Sequence, residues 1–251
     1  YGLVGSEICI RDSPGEPFFQ WPTPFVSAFL QGRPRVAFVP FAAADDQQDA
    51  YVEKVSPVFA AMGASVFSLH SAADPIAALD NADVVAVGGG NSFLLLRSLY
   101  RTKLIKAIGD RVRKGMPYLG WSAGSNVACP TIMTTNDMPI VEPPSMHAMN
   151  LIQFQINPHY TEATIAGHGG ESRDQRIAEF LSLNPTMPVV GLREGSLLHV
   201  KGGSGELRGR EMKVFRHGAE PRIVGDGGRF RKDLADLLFL YQSDAAEQQT
   251  W

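Results

Sequence analysis

The stretch Tyr118-Leu119-Gly120-Trp121-Ser122-Ala123-Gly124-Ser125-Asn126 decides how this chain is read. The apolar run Met116 to Leu119 predicts a buried strand, and Gly120 ends it. Ser122 stands between Gly120 and Gly124. Small residues on both sides of a serine permit a sharp turn from strand to helix. Such a turn holds the hydroxyl up at the sheet edge and points the first N–H groups of the next helix at the same place. This is the pattern of a nucleophile elbow. A glycine-rich turn with an incidental serine has the same letters, so the rest of the chain must supply a base and a second amide donor.

Outward from the elbow, strand and helix patterns alternate. Arg35 to Phe41 and Asp83 to Val87 predict buried strands, and Ser65 to Leu69 a further one. Between them, Gln48 to Met62 carries apolar residues at helical spacing, and Asp74 with Pro75 opens a short helix to Ala82. Ser92 to Tyr100 and Thr102 to Lys114 predict helices before the elbow strand. Beyond it, Leu151 to Ile156 and Pro188 to Leu192 predict strands, with a helix over Glu171 to Leu183. Leu197 to Val224 predicts short hairpins, and Arg231 to Tyr241 a helical tail. This alternation implies an α/β fold: a parallel, doubly wound sheet with helices on both faces and a C-terminal β-hairpin region. With no repeat or linker, residues 1–251 form one domain. Segments 1–34, where prolines break the periodicity and only Glu7 to Ile10 looks strand-like, and 230–251 are extensions that are otherwise hard to read.

In that architecture, sites form at the carboxyl ends of the strands. Polar segments follow four predicted strands: Gly88 to Asn91, Trp121 to Gly124, Asn157 to His159, and Arg193 to Gly195. Serine is a weak nucleophile and needs a base, which in turn needs an orienting carboxylate. Of the six histidines, His159 directly follows a core strand, behind Pro158. Glu194, also at a strand end, and Asp137, in a polar turn between serine and histidine, are the candidate carboxylates. Glu194 is the better placed, because an Asx-type turn explains Asp137 equally well. The triple glycine Gly88-Gly89-Gly90 lacks the spacing of a nucleotide cradle. It suits a backbone donor, Gly89 or Gly90, that shares an oxyanion hole with Ala123.

Composition narrows the classes further. The chain of 251 residues is 44% hydrophobic and 20% charged, with a net charge of −3 and no basic run, which argues against a nucleic-acid surface. Cys9 and Cys129 offer neither a disulfide framework nor metal-ligand spacing. No stretch is apolar enough to span a bilayer, and the first twenty residues do not read as a signal peptide, so the cytoplasm is the expected location.

Several ordered motifs resemble peptidase E, the aspartyl dipeptidase family of serine peptidases. They are Gly88 to Asn91, Gly120 to Gly124, Ala128 to Ile132, Thr134 to Ile140, Ile156 to His159, and Gly167 to Arg176. The likeness runs from about Arg35 to Gly195, whereas Glu7 to Ser13 and the tail after Arg229 match poorly. The resemblance implies a fold similar to class I glutamine amidotransferases and cleavage of dipeptides with an N-terminal aspartate. It also implies no metal or other cofactor, and a homodimer. It makes Ser122 the nucleophile and His159 the base, and leaves Glu194 and Asp137 both open. The substrate's aspartate side chain needs a cation, since a carboxylate loses its hydration in a pocket. The family's Gly-Glu-x-Arg segment makes that cation Arg173, with His168 as a secondary contact and Asn91 as a further substrate-binding residue. The alternatives are a cyanophycinase-like peptidase cutting β-aspartyl linkages, and a catalytically silent binding protein for acidic amino acids.

Overall fold

The computed structural model describes residues 7–12, 18–163 and 170–231. The strands in chain order are β1 (Glu7–Asp12), β2 (Arg35–Val39), β3 (Ser65–Ser68), β4 (Val84–Val87), β5 (Tyr118–Trp121) and β6 (Gln155–Asn157). They continue with β7 (Val189–Leu192), β8 (Ser196–Lys201), β9 (Ser204–Gly209), β10 (Met212–Phe215), β11 (Arg222–Val224) and β12 (Arg229–Arg231). The helices are α1 (Thr23–Leu30), α2 (Gln48–Ala61), α3 (Pro75–Ala78), α4 (Ser92–Arg101), α5 (Leu104–Arg113), α6 (Ala123–Ala128) and α7 (Arg173–Leu183).

The main sheet has the order β12-β9-β8-β1-β5-β4-β2-β3. From β1 to β3 the neighbours are parallel, and β8, β9 and β12 add antiparallel strands at the other side. The core strands are apolar on both faces, as a sheet covered by helices on both sides requires. Val36, Phe38, Val84 and Ala86 pack toward Val26 and Phe29 of α1 and Val55 and Phe59 of α2. The alternate residues Ala37, Val39, Val85 and Val87 pack toward Leu95 and Leu99 of α4 and Ile108 and Val112 of α5. A period of two along each strand thus feeds two cores. Each fully buried valine, leucine or phenylalanine contributes roughly 1.5–3 kcal/mol.

Three expectations are corrected. Segment 1–34 is not merely an extension: the strand-like Glu7 to Ile10 is part of β1, which lies inside the main sheet between β5 and β8, and the unexpected α1 helps bury the sheet. The prolines hid α1, yet Pro22 is its N-cap and Pro24 falls in its first turn, where a missing N–H costs nothing. The strand expected over Leu151 to Ile156 is β6 alone, because Leu151, Ile152 and Phe154 are buried but lie in irregular chain with Gln153 exposed. Finally, β6 and β7 pair in parallel but belong to a second sheet, ordered β11-β10-β7-β6. The expected hairpins appear as β8 with β9 and β10 with β11. Apart from Arg231, the expected helical tail lies outside the described residues. Among the described residues, no helix is long and apolar enough to cross a membrane.

Candidate active site

The elbow begins where β5 meets α6. Ser122 has φ 53° and ψ −112°, a backbone state that costs roughly 1–3 kcal/mol and that the surroundings must impose. Its neighbours have to be glycines. A Cβ on Gly124 would lie 2.2 Å from the carbonyl oxygen of Val87, and one on Gly120 would lie 2.8 Å from that of Gly124. The buried Tyr118 hydroxyl donates to the Gly124 carbonyl at 2.6 Å and locks the turn. The spacing of small residues around the serine therefore follows from close backbone packing of β4 against α6.

His159 follows β6 by way of the buried Pro158 and also has a positive φ, 51°. Its Nε2 lies 3.0 Å from Ser122 Oγ. Its Nδ1 lies 3.6 Å from Oε1 of Glu194, which follows β7. The first distance is a hydrogen bond; the second is longer than one and becomes an ion pair when the imidazole is protonated. Asp137 sits elsewhere. Its Oδ2 accepts the Ser92 N–H at 2.7 Å and the Thr135 hydroxyl at 3.0 Å, so it caps α4. The geometry thus brings Ser122, His159 and Glu194 together and leaves Asp137 out, correcting its candidacy beside His159.

The glycine run closes the site from β4. A Cβ on Gly89 would lie 2.9 Å from Ser122 Cβ, so only glycine allows this approach. The Gly89 N–H donates to the Tyr51 hydroxyl at 2.9 Å, and the Trp121 indole N–H donates to the same oxygen at 2.8 Å. This corrects the expectation for Gly89, whose amide is taken by the tyrosine. The N–H groups of Gly90, next to Gly89 on this loop, and of Ala123, next to Ser122, have no hydrogen-bond partner among the described residues.

Arg173 opens α7, whose capping box is formed by Ser172 and Gln175. Its guanidinium donates to Oδ1 of Asn136. Desolvation, with some repulsion from Arg176, holds its pKa below the usual arginine range. Asn136 also donates through Nδ2 to the Pro158 carbonyl at 2.5 Å and accepts from Asn157 Nδ2 at 2.7 Å. One amide therefore ties the residue before the histidine to the arginine. Asn91 is corrected as a substrate contact. Its Oδ1 accepts the N–H groups of Phe93 and Leu94, capping α4, and its Nδ2 donates to the Met138 carbonyl. His168 lies outside the described residues.

A cavity of about 270 Å³ adjoins the histidine, lined by His159, Tyr160, Thr161, Arg193, Glu194 and Arg210. Among the described residues, no group of three or more His, Cys, Asp or Glu side chains could hold a metal ion. Cys129 is no competing nucleophile: burial pushes its thiol up to about 12. Sequence reasoning missed Tyr51, Trp121 and Asn136. Trp121 beside the serine and Asn136 inside the Thr134 to Ile140 motif were visible signals; Tyr51 looked like one apolar position on a helix.

An elbow serine bonded to a histidine, with a carboxylate behind it and a glycine loop packed against it on a parallel α/β sheet, defines a serine hydrolase. Residues 13–208 match the family model described as peptidase family S51. The chain is 45% identical over 218 residues to Peptidase E of Shigella flexneri serotype 5b (strain 8401), covering 86% of this chain and 95% of that protein. The same identity and coverage relate it to Peptidase E of Escherichia coli O6:K15:H31 (strain 536 / UPEC). A crystal structure of a peptidase from an acI-B1 actinobacterium superposes with a TM-score of 0.71 at 15% identity, covering 92% of this chain and 98% of that one, which speaks to the fold. The chain belongs to peptidase family S51 and is a serine dipeptidase of that family.

Proposed function

We propose that the protein hydrolyses dipeptides with an N-terminal aspartate through an acyl-enzyme on Ser122. The observation that carries this reading is the 3.0 Å bond between Ser122 Oγ and His159 Nε2, with Arg173, held by Asn136, opening the neighbouring helix. His159 takes the Ser122 proton as Oγ attacks the aspartyl carbonyl carbon. The amides of Gly90 and Ala123 stabilise the developing oxyanion. The protonated His159 gives its proton to the leaving amine, the C–N bond breaks, and an aspartyl ester remains on the serine. A water activated by His159 then hydrolyses the ester. Glu194 orients the imidazole and stabilises its cation.

Arg173 is the anchor for the aspartate side chain. Its guanidinium fork suits a carboxylate two-on-two, and a partly buried arginine held by a neutral amide is available to an incoming anion. The test compares aspartyl with asparaginyl dipeptides in Arg173→Ala and Arg173→Lys. Loss of the aspartyl preference in both supports the assignment, and an unchanged preference in Arg173→Ala ends it. Assaying α-linked against β-linked aspartyl substrates separates this reading from the cyanophycinase-like one.

A further inference from the structure

If Arg173 selects aspartate, something must hold it at a fixed distance from Ser122 and His159. The chain between His159 and Arg173 includes residues 164–169, outside the described residues, and a second tie runs across the fold. That tie starts from the second sheet. In the strand registers, Lys213 of β10 lies beside Gly191 of β7, and Gly191 beside Asn157 of β6. Gly191 lacks a side chain, and the Tyr160 ring fills that place: a Cβ there would lie 2.7 Å from Tyr160 Cγ. The residue after the histidine is thereby laid flat over the row that ends in Lys213.

Lys213 is only 14% exposed, and its ammonium meets both flanks of the site. It lies 2.8 Å from Oε1 of Glu162, shortly after His159, and 2.7 Å from Oδ2 of Asp174, next to Arg173. The Tyr160 hydroxyl donates to the other Asp174 oxygen at 2.5 Å. Arg193 holds the second Glu162 oxygen at 2.8 Å and stands 5.2 Å from the centre of the Tyr160 ring. Asp174 therefore receives one donor from the histidine's own segment and one from β10. As an acidic residue in the first turn of α7 it also suits the helix dipole. Burial works against the Lys213 ammonium, and its bonds to Asp174, Glu162 and Tyr160 outweigh that, holding its pKa above the usual lysine range.

The rest of α7 has a separate anchorage. Ile177 and Leu181 pack with Val189, Phe215 and Tyr160, and the capping box is internal to the helix. Apolar packing thus fixes where the helix lies, while Lys213 and Tyr160 fix how its first turn is aimed.

We propose that Lys213 is a positioning residue for substrate selection: by bridging Glu162 and Asp174 it sets Arg173 in register with the Ser122–His159 pair. This rests on Arg173 being the aspartate anchor. An arginine displaced by about an ångström loses its paired geometry, and such misplacement is worth up to roughly a hundredfold.

The experiment uses the full chain with three readouts: KM and kcat on an aspartyl dipeptide, the aspartyl-over-asparaginyl preference, and the rate at which a fluorophosphonate labels Ser122. Lys213→Met should raise KM roughly ten- to a hundredfold with a smaller fall in kcat. It should also erode the preference and leave the labelling rate unchanged, and Lys213→Arg should restore most of the loss. Should Lys213→Met fail to fold, Asp174→Asn, which keeps the shape of the hub, should show the same selective loss. A preference equal to wild type in the folded variant overturns the proposal, as does a parallel fall of all three readouts. If wild type shows no aspartyl preference, the reading of Arg173 fails first, which is a separate outcome.

Discussion

Ser122 and His159, bonded at 3.0 Å, both adopt a positive φ, 53° and 51°. Neither is glycine, so the fold spends strain twice to bring one oxygen to one nitrogen. Such strain persists only where the surroundings over-determine it. Ser122→Ala should keep the fold and lower kcat by up to roughly a millionfold, leaving the residual catalysis of the amides and binding. Steady-state kinetics on an aspartyl dipeptide measure this, and near-native turnover would remove Ser122 from the mechanism.

The two carboxylates should separate by readout. Glu194→Gln leaves His159 without its orienting charge and should lower kcat strongly with little change in KM or melting temperature. Asp137→Asn weakens acceptance of the Ser92 N–H at the head of α4, so it should lower the melting temperature with a milder loss of kcat. The reverse ranking in kcat would return the relay role to Asp137.

Asn91 offers a similar contrast. Replacing it with alanine removes the cap that accepts from Phe93 and Leu94, at a cost of about 1 kcal/mol. Thermal unfolding should record that cost while KM for an aspartyl dipeptide stays close to wild type. A large KM effect without destabilisation would reinstate Asn91 as a substrate contact.

Acid should act through the Lys213 hub. Its bonds to Lys213 and Arg193 hold Glu162 down at about 2, against an ordinary value of 4.5. A depressed carboxylate contributes stability above its unfolded value and loses it as pH falls toward the folded one. The melting temperature of wild type should therefore exceed that of Glu162→Gln at pH 7, and the gap should narrow between pH 5 and pH 3. The effect is modest because the glutamate is half exposed. A gap that widens on acidification would contradict it.

Much of this was legible because the chemistry demands unusual letters. Gly120 and Gly124 flank Ser122 because backbone atoms stand where a Cβ would be, and a pattern forced by sterics can be read from one sequence. Buried runs such as Val84 to Val87 likewise marked the parallel sheet. What escaped depends on long-range partners. The placement of β6 and β7 in a second sheet depends on β7 pairing with β10, which no local period encodes. Asp137 and Asn91 carry residue types equally suited to capping and to catalysis or binding, and only their partners distinguish the uses. The Lys213 cluster joins residues from distant parts of the chain and was invisible for the same reason.

Tyr51 presents the last case. It lies on α2, yet its hydroxyl accepts from both the Gly89 amide and the Trp121 indole. Its ring also packs against Gly88, where a Cβ would lie 2.8 Å from Tyr51 Cε1. One side chain thus pins the glycine loop from β4 to the residue before the nucleophile. Tyr51→Phe keeps the ring and removes the shared acceptor, leaving two donors near the site unpartnered. Each such donor, if water does not reach it, costs roughly 1–3 kcal/mol. The loop can recover part of that cost by turning the Gly89 amide, which carries Gly90 with it and spoils the donor beside Ser122. The variant should therefore lose stability and show a fall in kcat that exceeds any change in KM, because an oxyanion donor acts in the transition state and not in ground-state binding. Thermal unfolding and steady-state kinetics on one preparation decide it. A stability loss with kcat intact would limit Tyr51 to holding the fold.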